Sequence, residues 1–309
     1  MNPRGYHSRE YGNSFSAFGE IITLPASGMK LIKRNIRKDL FDVTGLYPYS
    51  LCREWSKLGS DLSFLRELGA VSIVFVASPF CAMELEKIIP NWVLCKPFKQ
   101  HFIVNLNENW RSQRTKNTRY YCNASFKHQE VEIVRGSEKY AELFWSLYKP
   151  TIDKHNISGI QKMSLSIIAK QLRVKGAQLL IARQEDIPVG AMIVYNQGEV
   201  ANAHLMGLSS EAYKIHTSYA LIYTALTAFE EQGCRFANLG GSAGLKNNPR
   251  DGLHRFKSRW TKDIRTSLLC GEILNADAYK LLVGESFAQP EVNFFPEYRF
   301  PGSKYEWLP

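Results

Sequence analysis

Three short apolar runs decide the fold: QLLIA at 178–182, VGAMIVY at 189–195 and VANAHLM at 200–206. Each run has the length and apolar character of a strand, and turn-forming residues at 184–186 and 196–198 separate them. Connections as short as these join antiparallel neighbours. The three runs are therefore predicted to form an antiparallel meander.

A helix and a fourth strand follow the meander. Apolar residues recur every three or four positions over 219–229, which predicts an amphipathic helix, and residues 235–239 predict the strand. A helical connection makes the last strand parallel to its neighbour, and a sheet that mixes both directions can open at one end to hold a ligand. The predicted fold class is therefore α/β (α+β), with mixed sheets flanked by helices.

The last predicted strand runs into a glycine-rich segment, GGSAG at 240–244. Glycines let a backbone adopt a positive φ or approach a ligand closely. Three glycines within five residues favour a ligand site over a simple turn, although a turn alone would account for one of them.

The composition is that of a globular protein with an excess of positive charge. The chain has 309 residues, 45% of them hydrophobic and 22% charged, which fits one large domain or two of ordinary size. The net charge is +10, and residues 96–127 contain seven basic side chains and one acid. A solvated helix face explains this stretch, as does contact with phosphates of a cofactor, a nucleotide-linked substrate or RNA.

The two ends of the chain are expected to lie outside the main fold. Residues 1–25 are predicted to form a flexible or edge arm, and residues 289–309, with three prolines, an extended tail. The sequence offers neither the apolar core of a signal peptide nor the run of about 18 apolar residues that spans a membrane. The expectation is a cytoplasmic protein without stable membrane insertion.

The cysteines and histidines do not indicate a metal site. The six cysteines lie far apart without a CxxC pair, so free thiols are expected. The chain has no HExxH, Walker, GxSxG or Rossmann motif. We therefore expect a mechanism without a metal ion.

Five motifs, in chain order, resemble the FemAB-like branch of the GNAT superfamily of acyltransferases. They are AHL at 203–205, AYK at 212–214, SYAL at 218–221, NLGG with the following AG within 238–244, and GLHRFKSRW at 252–260. The resemblance is dense over 165–273 and thinner over 40–160, where KQHFIVNL at 99–106 and the basic stretch fit the same type.

The resemblance implies two tandem GNAT-like halves, predicted at 26–134 and 135–288. It also implies transfer of an acyl or aminoacyl group to an amine, with acyl-CoA or aminoacyl-tRNA as the donor. The branch includes peptidoglycan aminoacyl-tRNA-dependent transferases and proteins of polysaccharide gene clusters. The implied acceptor is a small-molecule or nucleotide-linked amine of a cell-envelope precursor, such as an amino sugar or a peptidoglycan stem peptide, and tRNA is a candidate partner.

Two positions depart from the family pattern. GNAT proteins that bind CoA resemble one another in an Arg/Gln-x-x-Gly-x-Gly/Ala turn before the central helix, whereas residues 209–217 contain no glycine. This departure disfavours acetyl-CoA as the donor. An Asp is common where this chain has Asn238, so a carboxylate role is not carried over to that position.

Two residues are predicted to be catalytic. The resemblance implies that Lys257, in the Phe-Lys pair of the last motif, lies at the reaction centre, where its ammonium would stabilise the tetrahedral intermediate. The alternative is a surface lysine. His204 lies in the third strand of the meander and titrates near neutrality, which suits a base for the amine, with a hydrogen-bonded structural histidine as the alternative.

Eight further residues are predicted to bind the substrate or the donor. They are Arg114, Arg119, Tyr213, Ser218, Tyr219, Gly240, Gly241 and Phe256. Tyr213 and Ser218 offer hydroxyl groups beside the donor-binding loop, and loop packing or helix capping is their alternative role. The two arginines would contact phosphates.

Two other functions stay open at this point. One is acetyl-CoA-dependent N-acetylation of a small amine, which predicts saturable binding of CoA. The other is an RNA- or anion-binding protein that has this fold without catalysis. The basic stretch supports the second function, which predicts salt-sensitive RNA binding without turnover.

Overall fold

In the computed structural model, the chain forms two compact units that alternate along the sequence. Unit 1 comprises Met1–Ser14, Lys99–Ser158 and Lys162–Arg265, and unit 2 comprises Phe15–Phe98, Gly159–Gln161 and Thr266–Pro309. The structure describes residues 3–37, 39–81, 85, 92–135, 138–244, 250–284 and 294–300. The predicted division at 134/135 lies inside unit 1, because residues 99–134 belong to the same unit as the meander.

The described residues contain eleven strands and ten α-helices. The strands are β1 Glu20–Thr23, β2 Lys30–Arg37, β3 Leu40–Gly45, β4 Ala70–Ala77, β5 Leu94–Asn105, β6 Glu130–Arg135, β7 Ala177–Gln184, β8 Ile187–Asn196, β9 Val200–Leu208, β10 Phe236–Asn238 and β11 Asp263–Ile273. The helices are α1 Arg9–Ser14, α2 Leu58–Glu67, α3 Trp110–Gln113, α4 Lys116–Ser125, α5 Ala141–His155, α6 Leu165–Leu172, α7 Ser210–Lys214, α8 Thr217–Glu231, α9 Gly252–Lys257 and α10 Ala276–Val283.

The predicted meander is confirmed in unit 1. β7, β8 and β9 pair antiparallel in that order, and the chain returns through α8 to place β10 parallel to β9. The helix buries Leu221, Leu226 and Phe229 completely against the core of the unit. Burial of such a side chain stabilises a fold by about 1.5–3 kcal/mol. The predicted class, α/β with a mixed sheet flanked by helices, is confirmed.

The carboxyl end of β10 is the feature that positions the candidate site. β10 pairs with β9 only over 200–202, and β9 continues to Leu208 after β10 has ended. On its other side β10 pairs antiparallel with β5, where Ile103 lies opposite Asn238. The segment that leaves β10 therefore runs beside the residues of β5 that precede Ile103.

Unit 2 has a smaller sheet with the strand order β1-β2-β3-β4-β11. β3 and β4 are parallel, and the other neighbours are antiparallel. Its core packs α2 on the sheet through Leu58, Leu62 and Leu65, all of which are buried.

The N-terminal arm differs from its prediction. Residues 5–14 form a 3-10 turn and α1, and Tyr6 and Tyr11 are at most 5% exposed. Both rings pack against Tyr195 in unit 1, so this segment is a packed element and the prediction of a flexible arm is wrong. Because the segment is polar apart from its aromatic rings, its sequence does not indicate that it is buried. β1, which belongs to the stretch predicted as an arm, lies at the edge of its sheet.

The described part of the tail, residues 294–300, is anchored in unit 2. Arg34 and Arg299 donate from Nε to the carboxylate of Asp42 at 2.9 and 3.0 Å, and all three side chains are less than 10% exposed. The Tyr298 hydroxyl donates to the same carboxylate at 3.2 Å. Residues 297–299 form a 3-10 turn, and the rest of the predicted extended tail, 289–293 and 301–309, lies outside the described residues.

Removal of the Asp42 carboxylate should destabilise unit 2 strongly. Asp42→Ala leaves two buried guanidinium groups without their counter-charge, and breaking a buried pair of this kind costs about 3–5 kcal/mol. We expect that decrease in the free energy of unfolding, measured by urea titration. Glu67→Ala, at the exposed end of α2, is the matched control and should change it by less than about 0.5 kcal/mol. Equal effects of the two substitutions would contradict the anchoring role.

Candidate active site

Lys257 is held over the glycine segment by backbone groups. Its Nζ donates to the carbonyl of Gly241 at 2.7 Å. Gly240 adopts φ 77°, and a Cβ at that position would lie 3.2 Å from the Lys257 Nζ. A side chain other than hydrogen would therefore strain the backbone and crowd the ammonium group. Glycine at position 240 therefore allows both the positive φ of the turn and the close approach of the Lys257 ammonium.

The start of α9 fixes the position of Lys257. The Asp251 carboxylate caps this helix, accepting from His254 N at 2.9 Å, and the same oxygen accepts from Ala243 N at 3.2 Å. One carboxylate thus ties the glycine segment to the helix that carries the lysine. Caps of this type stabilise a helix by about 1 kcal/mol.

A second lysine reaches the same segment from β5. Lys99 Nζ donates to the carbonyl of Gly244 at 2.7 Å. A Cβ on Gly241 would come within 2.5 Å of Lys99 Cε and 2.8 Å of the Gln100 carbonyl oxygen. The backbone of the segment and the Lys99 side chain are therefore in direct contact, and only glycine leaves room for both.

His101 and Asn238 form a buried polar pair below the segment. The Asn238 Oδ1 accepts from Gly240 N at 2.8 Å and lies 3.2 Å from His101 Nδ1. Because an amide oxygen only accepts, Nδ1 of His101 carries the proton in this arrangement. Both side chains are at most 5% exposed.

Burial and like charge lower the pKa values of this cluster. The pKa of Lys257 falls from 10.5 to about 7, first because burial disfavours its charged form and then because of the positive charge of Lys99, while Asp251 acts in the opposite direction. Burial also lowers the pKa of Lys99. The pKa of His101 falls to about 4, mainly through burial. Near neutral pH His101 is therefore uncharged, and Lys257 is present in both its charged and its uncharged form.

Two of the predicted binding residues flank this cluster. Tyr219 and Phe256 pack edge to face, with ring centroids 5.0 Å apart, and Phe256 precedes Lys257 on α9. Arg259 Nη1 donates to the Tyr219 hydroxyl at 2.8 Å. The structure thus brings four of the eight predicted binding residues to the surroundings of Lys257: Tyr219, Gly240, Gly241 and Phe256.

His204 lies in a different environment from the one predicted for a base. Its Nδ1 and Nε2 are hydrogen-bonded to the Tyr6 hydroxyl at 2.9 Å and to the Gln171 side chain at 3.1 Å. The rings of Tyr11 and Tyr195 also contact it, at centroid distances of 5.9 and 5.1 Å. Burial lowers its pKa to about 3, so it is a poor proton acceptor near neutral pH. The structural role, the alternative at the sequence level, fits this arrangement.

The remaining predicted residues are placed apart from these contacts. Tyr213 is 59% exposed on α7, with the Lys154 ammonium 5.7 Å from its ring centroid. Ser218 is partly buried in the first turn of α8. Arg114 stacks on Tyr223 at 5.0 Å.

Arg119 is exposed on α4, and its Nη1 donates to the carbonyl of Arg114 at 3.3 Å. The predicted contact of Arg114 and Arg119 with phosphates stays a prediction.

Sequence reasoning did not assign roles to Lys99, His101 and Asp251. Lys99 and His101 stand at the start of the run 99–106, two positions apart, and alternation along a strand directs both to one face. Asp251 precedes the last motif at a helix N-cap position. These local patterns were visible, but only the pairing of β5 with β10 shows which face meets the glycine segment.

The described residues offer neither a metal site nor a membrane-spanning helix. They contain no group of three His, Cys, Asp or Glu side chains placed to hold a metal ion. None of their helices combines the length and the apolar character that crossing a membrane requires.

The fold matches solved structures over most of the chain. FemX superposes with a TM-score of 0.68 over 91% of this chain and 95% of its own, at 12% identity. L-PGS from Bacillus licheniformis gives 0.58 over 89% and 94%, at 16% identity. The C-terminal domain of a protein described as a lysylphosphatidylglycerol synthetase, from Agrobacterium fabrum, gives 0.59 over 87% and 88%, at 13% identity.

The chain thus shares the fold of FemX and L-PGS, which agrees at the level of the fold with the resemblance found in the sequence. No protein-family model matches the chain, and no curated protein matches its sequence.

The environment of His204 should make stability depend on pH. Its pKa is about 3 in the folded chain against an ordinary value of 6.5, so the unfolded chain binds the proton more tightly and stability is lost as pH falls below about 6.5. We expect His204 to account for a loss of up to about 2 kcal/mol between about pH 7 and pH 5. In urea titrations at both pH values, the free energy of unfolding of His204→Gln should no longer show that decrease. His155→Gln, at an exposed position, is the control, and identical pH slopes in the two variants would refute the assignment.

Proposed function

We propose that this protein is an N-acyltransferase that transfers an acyl or aminoacyl group to an amino group of a cell-envelope precursor. The observation that carries this proposal is the Lys257 ammonium, held 2.7 Å from the Gly241 carbonyl at the carboxyl end of β10. A tetrahedral intermediate of acyl transfer develops negative charge on its oxygen, and a preorganised cation stabilises that charge. The shared fold with FemX and L-PGS supports this reading of the site.

Two ring nitrogens next to Lys257 support a bound substrate at this place. Nδ1 of His254 and Nε1 of Trp260 are buried, and within the described residues neither has a hydrogen-bond partner. Buried polar groups in native proteins are nearly always paired. Both residues belong to the motif that carries the lysine, and His254, which lies on α9, is the one of the two whose side chain is partly exposed.

The turn before α8 favours an aminoacyl ester over acetyl-CoA as the donor. Where CoA-binding proteins of this fold type have glycines, Ser209 caps the short helix α7 and His216 adopts φ 60°. The Thr217 hydroxyl donates to the Gln129 side chain at 2.7 Å, and Gln129 donates to the Ile215 carbonyl at 3.2 Å. The Thr217 hydroxyl and the Ile215 carbonyl at this turn are thus both engaged with the Gln129 side chain.

The RNA-binding alternative receives less support from the basic stretch than its charge suggests. Arg111 pairs with Glu230 at 2.6 Å, and Arg114 stacks on Tyr223 at 5.0 Å. Both arginines therefore have partners within unit 1. Salt-sensitive RNA binding without turnover on any donor would nevertheless favour that function over the transferase.

The transferase proposal is tested by product mass. Purified protein is given aminoacyl-tRNA or acetyl-CoA, together with an amino-sugar nucleotide or a peptidoglycan stem peptide, and we expect an amide product with an aminoacyl donor. Calorimetry with CoA separates the donors, since saturable binding would favour the acetyl-CoA alternative. The absence of product with every pair of donor and acceptor would overturn the proposal.

Lys257→Met should remove most of this activity. Loss of one preorganised group at an oxyanion lowers kcat/KM by about 100- to 1000-fold. The matched control is Lys262→Met, an exposed lysine five positions further along, which should keep normal kinetics. Full activity of Lys257→Met would exclude this residue from the reaction.

A further inference from the structure

The glycine segment holds two cations, although one ammonium would serve as the oxyanion partner. Lys99 and Lys257 arrive from different elements, β5 and α9, and donate to the carbonyls of Gly244 and Gly241, three residues apart. Two positive groups confined to one short segment destabilise each other's charge, and partial burial strengthens the effect. Enzymes use such neighbouring cations to obtain an uncharged, reactive lysine amine.

We propose that Lys257 carries the proton from the acceptor amine to the leaving group, and that Lys99 is the positioning residue that favours the uncharged form of Lys257. The inference rests on the proposed function, because it assigns the proton path of that same site. It also assigns the role of proton acceptor to Lys257, because His204, which was predicted for that role, is surrounded by the rings of Tyr6, Tyr11 and Tyr195.

The charged and titratable groups around Lys257 support the lowered pKa of this lysine. β5 contributes Lys99 and His101, and α9 with its cap contributes His254 and Asp251. Asp251 attracts the proton of Lys257, but its carboxylate is already engaged by backbone N–H groups. Burial and the charge of Lys99 outweigh it, and the pKa of Lys257 is about 7.

The proposed step balances without a further reactant. The uncharged Nζ of Lys257 takes a proton from the acceptor nitrogen while that nitrogen forms its bond to the donor carbonyl carbon, whose π electrons move to oxygen. The ammonium just formed then stands beside the oxyanion. When the intermediate collapses, the C–O bond of an ester or the C–S bond of a thioester breaks. Lys257 returns its proton to the leaving oxygen or sulfur.

The coupling of the two lysines is tested first without turnover. Acetic anhydride modifies only uncharged amines, so its reaction with Lys257 across a pH series, followed by peptide mass spectrometry, gives the titration midpoint of this residue. We expect a midpoint near pH 7 in the native protein. Lys99→Met should raise it by about one unit, because the neighbouring charge is gone. Lys99→Arg, which keeps the charge, should leave it near the native value.

Kinetics then test the proton path. A residue that accepts a proton acts above its pKa, so kcat/KM should fall on the acid side with the midpoint of Lys257. Lys99→Met should lower kcat/KM about fivefold at pH 7 and approach the native value near pH 9, whereas Lys96→Met, an exposed lysine of the same strand, should leave the profile unchanged.

Lys257→Arg keeps a positive charge but does not release its proton, and we expect it to be as inactive as Lys257→Met.

The outcomes separate this inference from the proposed function. An unchanged Lys257 midpoint in both Lys99→Met and Lys99→Gln, each shown to be folded by circular dichroism, would refute the positioning role. Substantial activity of Lys257→Arg, or an acid limb that does not follow the Lys257 midpoint, would refute the proton path and leave Lys257 as an electrostatic group. A shifted midpoint in a protein that turns over no donor would uphold the lysine coupling and refute the transferase.

Discussion

Among the described residues, a backbone carbonyl and not a carboxylate holds the Lys257 ammonium group, and this contact is the one on which the candidate site rests. A carboxylate in direct contact with Lys257 would neutralise it and raise its pKa. The carbonyl of Gly241 fixes the Nζ without supplying a full counter-charge. The positive φ of Gly240 makes this approach possible, because the backbone lies where a side chain would otherwise stand. The glycine segment therefore positions the Lys257 Nζ without offsetting the burial and the charge of Lys99, which together lower its pKa.

The polar residues beneath the segment are consistent with the same constraint. Asn238 accepts from Gly240 N and pairs with His101, and it does both with an uncharged amide. An aspartate, common at this position in the FemAB-like branch, would bring a negative charge close to the two lysines. With asparagine the hydrogen bonds are kept and the excess of positive charge remains.

Aromatic burial explains why a polar N-terminal segment is part of unit 1. Tyr6 and Tyr11 surround His204 together with Tyr195, and the hydroxyl of Tyr6 is hydrogen-bonded to the imidazole. A tyrosine ring removes a large apolar area from water while its hydroxyl still finds a partner. The same contacts take His204 out of the range of a neutral-pH base. The packing of this region and the lowered pKa of His204 therefore have one cause, burial among the tyrosine rings.

The amino-acid sequence predicts the meander, the crossover helix and the parallel last strand, because apolar periodicity and short connections are local properties of the chain. It also located Lys257 and the two glycines, since the motif and the glycine cluster are contiguous. Packing between distant segments brings Lys99 and His101 to the glycine segment and places His204 among the tyrosine rings. Those outcomes depend on the pairing of β5 with β10 and on the packing of the N-terminal tyrosines. Both are contacts between residues more than 130 positions apart, and no local pattern encodes which distant strand or ring a side chain will meet.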